Sequence, residues 1–274
     1  MILFVQATLR GNPWLAGLSL GLAALSRPPT MFSALFFILA IFSLEKNLLP
    51  AFKKSLAFGS TFSIALVVML GYNYMRFGNP LEFGYGYVLG TPALTNTFTI
   101  SGGFNPKYIP CNMYVSLLGM PNISWNPLPS ANAVCSYLEP IMHGFTGLSD
   151  FFNPIGMSIF LTTPAFLLIF RAKWRDNLVI PAWVGMMGAL VVLWMYHTTG
   201  WVQFGYRYTL DFMVFLFILL TRSIKQVKLL EKSLIGLSVL MGGTGVVLMY
   251  YMTFGLIWSE MFIELLKKIY WFIF

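Results

Sequence analysis

Three arginines stand where apolar runs of this sequence stop. Arg27 follows GLSLGLAALS, Arg76 follows Tyr72-Asn73-Tyr74-Met75, and Arg207 lies within Gly205-Tyr206-Arg207-Tyr208. A guanidinium carries a planar fork of donors that matches the oxygens of a phosphate. A charge at the edge of an apolar segment is costly, so it lines a cavity, finds a partner or snorkels to the interface. Taken singly, each arginine reads as snorkelling or as paired with Asp211, Glu82 or lipid headgroups. Taken together on one side of a membrane, they suit a lipid-linked phosphate. Asp211 follows Arg207 by four residues, so on one helix the two would share a face and form an ion pair. A catalytic base is the alternative role for that carboxylate. His197, in Tyr196-His197-Thr198-Thr199-Gly200-Trp201, suits phosphate binding or proton transfer, with a structural hydrogen bond as the plainer reading.

Other chemistries are missing from the sequence. The two histidines, His143 and His197, are far apart, and no HExxH or Cys/His spacing for a metal occurs. There is no phosphate-binding GxxxxGK[ST] loop and no GxSxG elbow, so neither a cofactor nor ATP-driven transport is expected. Acidic residues within apolar runs are nearly absent, which argues against proton- or sodium-coupled transport. Cys111 and Cys135 share one polar loop. In an oxidising compartment they would form a disulfide, and otherwise remain two thiols. Asn122-Ile123-Ser124 fits a glycosylation acceptor, a three-residue pattern that also arises by chance.

The elements that must position these residues are apolar helices. Of 274 residues 58% are hydrophobic and only 9% charged, against about 25% charged in a soluble domain. Mean hydropathy is +0.75. Apolar runs near the roughly 20 residues that cross a bilayer recur along the chain. The expected fold is all-α and polytopic. About seven transmembrane helices are placed near 14–26, 29–44, 55–76, 154–171, 178–197, 206–221 and 233–258. An amphipathic helix is expected over 261–274, in the interface by preference and spanning as the alternative. The segments divide as 1–76, a long loop subdomain over 77–152, and 153–274.

Charge orients this arrangement. The net charge is +8, and its placement excludes nucleic acid as the partner. Ten of the 17 Lys and Arg residues fall in the connections 45–54, 171–176 and 222–232, which alternate onto one side. The positive-inside rule makes that side cytoplasmic. The Arg27 turn, the 77–152 loop and the segment from His197 to Gly205 then face outward. No secretory signal is expected, because MILFVQATLR is apolar and then basic, the reverse of the usual order. Membrane lipids are the expected surroundings.

Three segments resemble the later half of bacterial family C glycosyltransferases, the multi-pass enzymes related to protein mannosyltransferases and aminoarabinose transferases. Residues 17–28, GLSLGLAALSRP, are similar to a GLxLGLAxLTRP hairpin. Asn153-Pro154-Ile155-Gly156 through Thr163-Pro164 is similar to the start of a late helix. Gly200-Trp201 with Phe204-Gly205-Tyr206-Arg207-Tyr208-Thr209-Leu210 is close to GGWxFGxRYLLP. The resemblance implies transfer of a sugar from a polyprenyl phosphate donor on the outer face. It makes Arg207 the first donor-phosphate contact and Arg27 the next, with Arg76, His197 and Tyr206 beside them. The family's catalytic acid lies in a first outer loop, whereas no Asp or Glu occurs here before Glu45. The chain is therefore expected to work with a missing amino-terminal half, or as a non-catalytic subunit of a larger membrane complex.

Overall fold

The computed structural model describes residues 1–84, 87, 98–121, 134–135, 155–200, 203–254, 267–268 and 271. Asn122-Ile123-Ser124, Glu139, His143, Asp150, Asn153, Pro154 and Trp201 lie outside the described residues, as does nearly all of the 261–274 stretch. The described chain is mostly helical and falls into two compact units. The first comprises 1–89, 168–193 and 208–226; the second comprises 90–167, 194–207 and 227–274. Each unit combines stretches that are distant in sequence.

In the first unit, α1 (Ile2–Leu9) precedes α2 (Pro13–Ser26). Asn12 caps α2 by accepting from Leu15 N at 3.1 Å, and Pro13 sits where a helix needs no N–H. The pair Pro28-Pro29 stops α2 at Ser26, since proline restricts its predecessor and cannot donate. A 3-10 turn over Pro28–Ser33 leads into α3 (Ala34–Leu44), and α4 (Leu48–Phe77) follows. A Cβ on Gly17 would stand 2.4 Å from Phe58 O, and one on Gly21 would stand 2.5 Å from Ala65 Cβ. Two small residues four apart thus let α2 and α4 approach backbone to backbone. Contacts advance together along both helices, so they run in the same direction. Phe4, Phe36, Phe37 and Phe58 fill the core, with the Phe37 and Phe58 rings stacked at 4.1 Å. α7 (Val179–Trp194) and α8 (Met213–Ser223) complete the unit, with Phe215 5.1 Å from Phe36. Arg222 pairs with Asp176 at 3.3 Å and Lys54 with Glu45 at 2.5 Å.

The second unit contains α5 (Ile109–Leu118), β1 (Ile155–Met157), the single-turn α6 (Ile159–Thr162), β2 (Gln203–Gly205) and α9 (Leu229–Phe254). β1 and β2 pair in parallel with Ile155 opposite Gln203 and Met157 opposite Gly205. Met157, Leu161, Phe204 and Leu248 pack together against this pair. Cys111 of α5 is joined to Cys135 by a disulfide, with Cα atoms 5.0 Å apart.

Two expected helices are corrected by this structure. Over 155–171 the chain forms β1, α6 and a 3-10 stretch, Pro164–Arg171, instead of one helix. Ser158 starts α6 by accepting from Phe160 N at 3.1 Å, and Pro164 forces the break after it. Arg207–Asp211 is likewise 3-10, and the α-helical part begins only at Met213. In a 3-10 turn residues three apart align, so Arg207 and Asp211 do not share the α-helical face expected of them. Among the described residues, α4 and α9 are long and apolar enough to cross a membrane; α2, α7 and α8 are shorter apolar helices.

Candidate functional site

The break after α2 places Arg27 at a helix C-terminus, where a cation is favoured. Its backbone is tied on both sides: Arg27 N donates to Ala23 O at 2.8 Å, and Thr30 Oγ1 donates to Arg27 O at 2.8 Å. The side chain reaches across 184 residues of sequence to Asp211, with Nη2 donating to Oδ2 at 2.8 Å. Its Cζ lies 5.5 Å from the centre of the Tyr208 ring. The carboxylate is buried at 6% exposure, whereas the arginine side chain keeps 47%. The guanidinium is thus fixed by a carboxylate that is itself withdrawn from solvent. Arg76 closes α4, over the Phe77 ring at 4.9 Å, and lines a cavity in the same unit with Ser26, Pro28 and Asn73.

In the second unit a neutral amide does the positioning. Gln203 is 4% exposed, and its Nε2 donates to Ile155 O at 2.7 Å and to Thr199 O at 2.9 Å. Its Oε1 accepts from Arg207 N at 3.1 Å. Space for this side chain comes from two glycines with positive φ. A Cβ on Gly156 (φ 110°) would lie 2.7 Å from Gln203 Nε2. One on Gly200 (φ 128°) would lie 2.8 Å from Gln203 Oε1 and 3.0 Å from Arg207 Nε. The Arg207 side chain therefore passes directly over Gly200, and the residue is exposed. Tyr206, expected beside the phosphate, is 2% exposed.

His197 sits where α7 has ended. Its N–H donates to Gly103 O at 2.9 Å, and its ring meets Tyr196 edge-on at 4.5 Å and Phe98 at 5.4 Å. Burial lowers its pKa below the ordinary histidine value, and hydrogen bonding with the Gly103 backbone partly opposes this. Among the described residues its Nδ1 is buried without a hydrogen-bond partner, as is Thr199 Oγ1. Asn112 of α5, fully buried, donates through Nδ2 to Trp194 O at 3.2 Å and Tyr196 O at 2.8 Å. It thereby satisfies carbonyls that the end of α7 leaves open.

Gln203 and Asn112 carry this architecture, yet neither stood out in the sequence. Their only signal was an amide in a mostly apolar setting. The structure brings Arg27 to Asp211, puts Arg76 on a separate cavity of the first unit, and places Arg207, Tyr206 and His197 in the second. Among the described residues no three of His, Cys, Asp and Glu lie close enough to hold a metal ion. No protein-family model matches the chain, and neither a curated protein nor a solved structure shows a significant likeness to it.

Proposed function

We propose that this chain is the carboxy-terminal part of a family C-type glycosyltransferase, crossing a bacterial inner membrane seven times and holding a polyprenyl phosphate sugar donor on the outer face. One observation carries the reading: the segments that bear the resemblance meet in space. Arg27 of the first touches Tyr208 of the third and is held by Asp211 just beyond it. Gly156 of the second abuts Gln203, which lies within the third, through the β1–β2 pair.

Several features support the multi-pass arrangement. The 3-10 turn and α3 together rise about 28 Å, and Arg207–Ser223 about 27 Å, both close to the roughly 30 Å of a hydrocarbon core. A 3-10 stretch rises more per residue, so these segments cross with short α-helical parts. The Arg222–Asp176 pair joins two of the basic connections, in keeping with one cytoplasmic side.

In such a transfer the acceptor oxygen bonds to the anomeric carbon as the bond from that carbon to the phosphate oxygen breaks. The leaving phosphate keeps the electron pair, and a carboxylate takes the acceptor proton. Arg207 would stabilise the charge on the departing phosphate. The acids favour a second reading, a non-catalytic subunit of the same ancestry. Among the described residues Glu45, Asp176 and Asp211 are ion-paired, while Glu82 and Glu231 accept backbone N–H groups. None is poised as a base.

The deciding experiment purifies the native assembly in mild detergent, weighs its subunits, and measures sugar transfer from a polyprenyl phosphate donor. Arg207→Ala is expected to lower transfer about 100-fold, the usual cost of one donor to a developing anion, with melting temperature unchanged. Unchanged transfer would remove Arg207 from the donor site. Absence of transfer in an assembly of unrelated subunits would establish the second reading.

A further inference from the structure

The first unit carries a groove with a head and a tail. Gly17 and Gly21 draw α2 against α4, so the larger side chains of both helices flank the contact and leave a furrow along it. Two cavities, of about 460 and 590 Å³, adjoin there through the shared walls Leu25 and Val68. The larger is walled mainly by apolar residues, among them Leu18, Leu22 and Ile64. The smaller ends at Ser26, Tyr72, Asn73 and Arg76. From Thr61 to Arg76 the furrow follows α4 for about 22 Å.

The polar end is built to stay put. Asn73 is 5% exposed, with Nδ2 donating to Pro80 O at 3.1 Å. Arg76 lies over Phe77, and its Nη1 is 3.4 Å from Tyr72 Oη, a weak contact. Among the described residues no carboxylate lies within ion-pair distance of it. A cation fixed at the end of an apolar furrow calls for an anion that carries its own hydrocarbon.

We propose that this furrow binds one anionic glycerophospholipid of the surrounding bilayer, its phosphate on Arg76 and one acyl chain between α2 and α4. The dimensions select this occupant. A leaflet contributes about 15 Å of hydrocarbon, half of the roughly 30 Å core, and the furrow takes that depth plus a headgroup. A long isoprenoid chain would overrun it. The guanidinium matches phosphate oxygens bidentately, and the apolar stretch gains by covering exposed Leu22, Ile64 and Val68. The site is independent of glycosyl transfer, because its readout is lipid binding.

Delipidated protein in an uncharged detergent, titrated with phosphatidylglycerol or phosphatidylcholine and read by native mass spectrometry, tests this. One phosphatidylglycerol is expected to bind about tenfold more tightly than phosphatidylcholine, a difference of about 1.4 kcal/mol. Arg76→Ala should erase the preference, with Arg76→Gln as the second variant should the alanine protein not fold. Leu22→Trp, which fills the tail, should weaken both lipids. Equal affinity for the two lipids, or a preference that survives Arg76→Ala and Arg76→Gln, would overturn the proposal. Retention of a polyprenyl phosphate in preference to phosphatidylglycerol would overturn it as well.

Discussion

Arg27 and Arg207 are both exposed cations next to short 3-10 segments, yet the two units hold them by opposite means. In the first unit a buried carboxylate grips the guanidinium itself, so the side chain is fixed by charge. In the second, the buried amide of Gln203 grips the backbone N–H of Arg207, whose side chain runs over Gly200. Fixing an arginine through its head consumes part of its donor fork. Fixing it through its backbone makes no use of the fork. The contrast is between a cation anchored by charge and one anchored through its main chain.

The largest effect is expected where the neutral network is cut. Gln203→Met keeps the volume but removes the donor to the carbonyls of Ile155 and Thr199 and the acceptor of Arg207 N–H. Each hydrogen bond lost in this way costs about 1–1.5 kcal/mol, so a loss of about 3–4 kcal/mol is expected. Thermal unfolding in detergent measures it. A loss under 1 kcal/mol would mean that the amide does not organise the loop.

Much of the helical layout was legible in the sequence, because apolar runs between basic connections mark helices whatever packs against them. The Arg27 break was legible because proline acts locally. The stretch 155–171 was not, since a short apolar run fits a strand, an α-helix or a 3-10 helix equally well until its partner is known. β1 finds that partner 48 residues away, at Gln203. The site suffered from the same blindness to distance. Asp211 was matched with Arg207 by spacing, although its observed partner is Arg27, brought close only by the packing of the first unit. Asn112 and Gln203 act on carbonyls that no local pattern connects to them.

A middle-sized effect tests the charged half of the comparison. Arg27→Met strands the Asp211 carboxylate at 6% exposure. Breaking a fully buried pair costs about 3–5 kcal/mol, and the half-exposed arginine reduces this to about 2–3 kcal/mol. Adding Asp211→Leu removes the stranded charge, so the double variant should return to within about 1 kcal/mol of the parent. A double variant no better than the single one would show that Asp211 does more than anchor Arg27, and would reopen its role as a base.

The smallest effect belongs to His197, which borders the Gln203 network and is itself controlled by burial. Burial lowers its pKa in the folded protein below the 6.5 of an exposed histidine, so the fold favours the neutral ring and the unfolded chain binds the proton more readily. Linkage then sets the sign: the contribution is fully present above pH 6.5 and is lost as pH falls through that value and the lower folded one. Melting temperature recorded from pH 8 down to pH 5 should therefore decline across that window, and His197→Phe should flatten this part of the decline. The Arg27–Asp211 pair provides the contrast, because His197→Phe should leave the cost of Arg27→Met unchanged at either end of the range. A decline of equal size in His197→Phe would transfer the pH sensitivity to another group. A cost of Arg27→Met that shifts with the histidine would show that the charged and neutral devices are coupled.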